Sequence, residues 1–297
     1  MTTREAYLAK PSGACCLKGA IHQGESRGSF ASIADVETYV SEPPEGQANG
    51  NIVLYFPDVW GMFPNGLLIM DAVADVGYLV AGIDYFRGDP VWKHRKSRND
   101  TSDPDFDFEA WKRKHTAFAD EKVPGWVDAV KERIREAGHE ICLYCLGAPY
   151  VCDALAGETC AAGAFAHPAF LKDHHFRNLD KPLFLSCSEV DHTFPTDSRN
   201  KAVDILQAGK KQYHLQLFSG VEHGFALRGN IDIPYEPSGF VVGNLSLLRP
   251  TTKGAIVQMT PAMAAQRGHE NIRFDRIAPG MFSTLKARRY RMTEETR

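Results

Sequence analysis

The sequence predicts an α/β fold, built on a mostly parallel sheet with helices on both faces and short antiparallel strands at its N-terminal side. Three observations carry this. "IVLYF" at 52–56 and "YLVAGIDYF" at 78–86 are continuous apolar runs, as strands buried on both faces require. Segments with helical spacing separate these and later apolar runs. Residues 28–41, "GSFASIADVETYVS", alternate polar and apolar and read as two antiparallel strands around Ala34-Asp35.

The remaining elements follow in order. "SEPPEGQANGN" is a loop, and Pro57 ends the first buried strand. Asn65 to Val76 reads as a helix. Residues 87–105 are rich in turn formers and read as a long loop. Two helices are expected at 106–119 and 124–137, the second closed by Gly138. Strand 140–144 and a helix from about 146 to 156 come next. Strands 161–166 and 182–187, a helix at 196–208 and a strand at 212–218 complete the pattern. Pro149 falls in the first turn of its helix, where a missing N–H costs little.

The chain has 297 residues and a formal net charge of -3, which gives no reason to expect nucleic acid or an anionic membrane as partner. No apolar run approaches the roughly 20 residues of a membrane helix, and the N-terminus has no signal-peptide pattern, so a cytoplasmic chain is expected. Seven cysteines lack the spacing of a secreted disulfide framework. Cys142 and Cys145 form a C-x-x-C. No second such pair accompanies it, and residues three apart on a strand lie about 10 Å apart, so redox and zinc roles are disfavoured.

In a parallel sheet, ligands bind beyond the C-terminal strand ends. The residues there are Asp58, Val59, Tyr85, Arg87, Cys145, Leu146, His167, Glu189, Asp191, Glu222 and His223. Cys145, Asp191 and His223 have the chain order nucleophile, acid, histidine. A thiol needs a base to become thiolate at neutral pH, which His223 could supply, and Asp191 would fix its tautomer. The N–H groups of Leu146 and Val59 could form an oxyanion hole. Each residue also has a plainer role: Cys145 as inert core, Asp191 as a helix cap, His223 as an exposed turn residue. No G-x-S-x-G occurs to offer a serine instead. His167 is an alternative base, although its place before Pro168 suits shaping the pocket better.

The motifs "ACCLKG" (14–19), "LYFPDVWG" (54–61), "IDYFRGDP" (83–90), "YCLGA" (144–148), "FAHPAFL" (165–171), "EVDHTFP" (189–195) and "GVEHGFALRG" (220–229) resemble the dienelactone hydrolase family, especially its fungal members. The resemblance covers roughly 12–230 and implies the α/β-hydrolase fold, no metal or organic cofactor, and a small lactone or ester substrate. It implies a Cys145–Asp191–His223 triad acting through a thioester. It places Asp58 where relatives carry a glutamate that helps generate thiolate, Val59 at the second oxyanion N–H, and Tyr85, Arg87 and Arg228 as substrate-binding, the arginines toward a carboxylate. Arg228 is offset by one residue from the family position. The implied state is a monomer or homodimer.

Two departures stand out. Relatives have glycine where this chain has Leu143, so either a displaced strand or reduced activity is expected; a homologue that binds a small carbonyl ligand with little turnover is the alternative reading. After Gly229 the resemblance stops. Residues 1–229 are therefore read as the hydrolase domain, and 230–297 as an atypical, mostly irregular tail.

Overall fold

The chain builds one eight-stranded sheet in the order β1-β2-β4-β3-β5-β6-β7-β8. The structure is a computed structural model that describes residues 5–13, 24–95, 100, 102–135, 140–145, 147–158 and 160–229, with the side chains of 134–135 and 140–145 set aside. All described residues fall within one compact unit, Met1–Pro250. The tail reading over 230–297 lies outside the described residues, as does "ACCLKG".

Strands β1 (Ser29–Ile33) and β2 (Val36–Ser41) form the expected hairpin. Its turn places Ala34 and Asp35 at φ of 50° and 60°, the left-handed pair that matches strand twist. β2 runs antiparallel to β4 (Leu79–Ile83), and every later pairing is parallel. β3 (Asn51–Phe56) and β5 (Glu140–Cys145) lie at the centre, followed by β6 (Ala162–Ala166), β7 (Leu183–Val190) and β8 (Tyr213–Glu222). Parallel pairing at the centre explains why β3 and β6 are apolar on both faces: helices cover each side.

Among the described residues, five α-helices lie between strands, α1 (Pro64–Asp75), α2 (Phe108–Arg135), α3 (Ala148–Leu155), α4 (Asp173–Arg177) and α5 (Thr196–Ala208), and α6 (Phe225–Arg228) follows β8. The two helices expected around Pro124 are one. A proline inside a helix costs about 3 kcal/mol. Continuity buries Val123, Trp126, Val127 and Val130, each contributing about 1.5–3 kcal/mol, so burial wins. Trp126 also packs on Phe56 with centroids 5.8 Å apart and donates its indole N–H to Thr38 Oγ1 at 2.8 Å.

The displaced strand expected at Leu143 does not occur. Leu143 pairs in unbroken register with Leu54 of β3 and Gly163 of β6, and the pairing continues through Cys145. Among the described residues, no helix is long and apolar enough to cross a membrane.

Candidate active site

The C-terminal ends of β3, β5 and β6 and the loop after β8 converge on one cavity of about 350 Å³. β5 ends at Cys145, in register with Phe56 and Phe165 on its two neighbours. The chain then turns sharply. Gly147 donates its N–H to the Phe56 carbonyl at 3.0 Å, and α3 begins one residue later with Pro149 in its first turn, as expected. Leu146 and the Cys145 and Leu143 side chains lie outside the described residues.

His223 follows β8, its backbone N–H bonded to the Val190 carbonyl at 3.1 Å. Its imidazole lines the cavity and is 6% exposed, against the expectation of an open turn residue. Nδ1 lies 2.9 Å from Asp191 Oδ1. The same carboxylate oxygen accepts the N–H groups of Thr193 (2.9 Å) and Phe194 (3.0 Å). Thr193 Oγ1 stands 2.7 Å from that oxygen and 3.0 Å from His223 Nδ1. Burial alone would raise the Asp191 pKa. Its bonds from His223, Thr193 and Phe194 outweigh this and hold it far below the usual carboxylate range. Asp191 thus orders the turn after β7 and holds His223 at once; it does not cap the following helix, whose N-cap is Pro195 with no side-chain cap.

Asp58 and Val59 form the turn after β3, and both line the cavity. Asp58 Oδ1 accepts the Trp60 N–H at 2.9 Å. The Val59 carbonyl accepts the Val91 N–H at 3.1 Å, while the Val59 N–H has no partner among the described residues. Asp58 Oδ2 forms an ion pair with Arg228, whose side chain is 1% exposed and stacks over Trp60. Tyr85 lines the cavity with its hydroxyl bonded to the Pro57 carbonyl. Arg87 does not line it: the side chain is exposed, its guanidinium carbon 4.6 Å from the Phe118 ring centroid. Arg228 does not line it either. Neither arginine stands where the sequence reading wanted a carboxylate partner.

Residues 36–240 match the dienelactone hydrolase family. The chain belongs to that family. It is a hydrolase acting on lactone- or ester-like substrates. Its sequence is 40% identical to Dienlactone hydrolase 2 of Gibberella moniliformis over 232 residues, covering 77% of this chain and 89% of that one. It is also 40% identical to Dienlactone hydrolase 1 of the same fungus, covering 78% and 90%. Among solved structures it resembles a dienelactone hydrolase-like promiscuous phosphotriesterase from metagenomic libraries, with a TM-score of 0.53, 13% identity and coverage of 83% and 99%. That likeness speaks to the α/β-hydrolase fold.

For a member of the dienelactone hydrolase family, three parts of this site escaped the sequence reading. Thr193 is one, although Asp-x-Thr in "EVDHTFP" is an Asx-turn pattern that could have signalled it. The cavity walls are another: Trp111 and Tyr150 come from α2 and α3, with no local cue. Tyr7 and Ser12 are the third. They arrive on an N-terminal segment tied to the Leu171 carbonyl by the Leu8 and Ala9 N–H groups. Asp191, His192 and His223 also bring ligand atoms within 4.8 Å of one another. A cation there would compete with the His223–Asp191 bond.

Among the described residues, Cys152, Cys160 and Cys187 are buried free thiols. Burial raises Cys152 well above its ordinary value and pushes Cys187 up to about 12, so both are unreactive core residues.

Proposed function

We propose that Cys145 is the nucleophile of a Cys145–His223–Asp191 triad that hydrolyses a small lactone or activated ester through a thioester. The supporting observation is the buried His223–Asp191 bond, which points an oriented imidazole at the cavity into which β5 ends. His223 Nε2 takes the thiol proton as sulfur attacks the carbonyl carbon. The N–H groups of Val59 and Leu146 receive the oxyanion. The C–O bond breaks, and His223 returns its proton to the leaving oxygen. Water then adds to the thioester with His223 as base, the C–S bond breaks, and the acid departs with the thiol restored. In this reading Asp191 stabilises the imidazolium without accepting its proton.

Asp58 keeps a place in this reading as a positioning residue. Its pair with Arg228 fixes the turn that presents the Val59 N–H. Tyr85 acts as a wall against the substrate.

A panel of lactones, aryl esters and enol-lactones tests the proposal. Turnover of at least one is expected for the native chain. Loss of that turnover in Cys145→Ala and in His223→Ala supports the triad. Turnover that survives Cys145→Ala refutes it.

A further inference from the structure

Resting on that reading of the site, we propose that the cavity selects an uncharged, flat lactone or ester bearing a hydroxyl group, and that His167 Nε2 reads that hydroxyl. The first support is the disposition of charge. Arg228 is spent on Asp58, and Arg87 lies outside the cavity over Phe118. Of the lining lysines, Lys112 donates to Glu109 at 2.7 Å and to the Ser12 carbonyl at 3.2 Å, and Lys172 is held over the Tyr7 ring. Burial lowers the pKa of the lining residues His115, His167 and His175, so they are neutral at pH 7. Three acids, Asp58, Asp120 and Asp153, share the lining. Asp58 is matched by Arg228, which leaves Asp120 and Asp153 against Lys172, whose contact with the Tyr7 ring leaves its charge uncancelled; among the described residues a substrate carboxylate therefore meets a lining with more negative than positive charge.

The second support is shape. The walls include Tyr85, Phe86, Trp111 and Tyr150, with Phe86 and Trp111 stacked at 5.2 Å and 5°. Flat aromatic walls favour a flat conjugated ring. The volume of about 350 Å³ also exceeds what a bare five-membered lactone fills.

The third is His167 itself. It follows β6, is 3% exposed and lines the cavity beside His223, their rings 4.9 Å apart. Its φ of 35° is unusual for a residue with a side chain, and such strain gathers at functional sites. Nε2 is buried with no hydrogen-bond partner among the described residues. A neutral imidazole nitrogen is a donor or an acceptor by tautomer, and a hydroxyl can answer either.

The test uses the full chain with dihydrocoumarin, its ring-hydroxylated isomers, and a carboxylate/carboxamide pair on the same ring. Relative kcat/KM is read on the native enzyme, and Kd by calorimetry on Cys145→Ala. The expected result is that one hydroxylated isomer gains about tenfold over the parent and that the carboxamide beats the carboxylate by about tenfold or more. The hydroxyl preference should collapse to near unity in His167→Asn, since asparagine tolerates positive φ, and in His167→Phe. A carboxylate that binds better than its amide overturns the proposal, and so does a hydroxyl preference unchanged in both variants. The Kd comparisons decide it even if no lactone is turned over, whereas absent turnover counts only against the triad.

Discussion

Asp58 and Arg228, 170 residues apart in sequence, form a part-buried ion pair at the turn that carries Val59. Asp58 belongs to the turn after β3 and Arg228 to α6, so the pair fastens the segment after His223 to the end of a central strand. Asn65 adds a second tie, donating its side-chain N–H to the Leu227 carbonyl at 2.8 Å. Gly224 lies at φ +95°, and a Cβ there would come within 2.6 Å of Arg228 Nη2. Glycine is needed at this position for both reasons.

Removing the arginine leaves the part-exposed Asp58 carboxylate without its ion-pair partner. Arg228→Met is expected to cost about 1–3 kcal/mol in urea unfolding. Asp58→Asn in the same background should cost less than it does alone, because the charge it removes is already unpaired.

Gly224→Ala should lower both stability and activity, since the added methyl meets a strained backbone and the guanidinium together. A urea midpoint and kcat/KM equal to those of the native chain would contradict this account of the Arg228 seat.

His175 predicts an acid-sensitive fold. Burial, with smaller contributions from His174 and Lys172, lowers its pKa to about 4. Its Nδ1 accepts the Lys172 N–H at 2.9 Å, which requires that nitrogen unprotonated. The unfolded chain therefore binds this proton first, near pH 6.5. Stability should rise between about pH 4 and 6.5 by roughly 2–3 kcal/mol from this residue. Urea titrations across that window should show a shallower rise for His175→Asn than for the native chain.

Asp191 acts in the same sense in a more acidic window. Its folded pKa is depressed, so its stabilisation is present above the unfolded value near 3.9 and fades as pH falls below it. In the triad reading, Asp191→Asn should reduce kcat by about 10³–10⁴ through the wrong imidazole tautomer while leaving KM nearly unchanged. A loss expressed in KM alone would assign Asp191 to the turn and not to the chemistry.

Leu143→Gly separates the remaining consequence of that side chain from backbone displacement, which the unbroken β5 register excludes. If Leu143 limits the turn chemistry, the glycine variant should turn over lactone faster than the native chain. Equal rates would show that leucine is tolerated there.

The strand positions were legible because β3, β4, β6 and β7 are bounded apolar runs, and their length and punctuation are local signals. The break expected between 119 and 124 does not occur, because burial of Trp126 and its valine neighbours, a tertiary gain with no local mark, outweighs the cost of Pro124 inside the helix. The pairing of Asp58 with Arg228 was illegible for the same reason. Both residues were singled out, yet the contact joins sites 170 residues apart. The short helix α4 has five residues and too little periodicity to register. His167 stood out from its motif, but its unmet nitrogen is a property of packing alone.

The central claim is that Cys145 carries the acyl group. Stopped-flow release of nitrophenol from an activated ester, with quenched samples taken for intact mass and peptide mapping, tests it directly. The account predicts a burst of one equivalent, with the added mass on the peptide containing Cys145 and neither burst nor adduct in Cys145→Ala. A burst of equal amplitude in Cys145→Ala, or an adduct mapped to another residue, would contradict it.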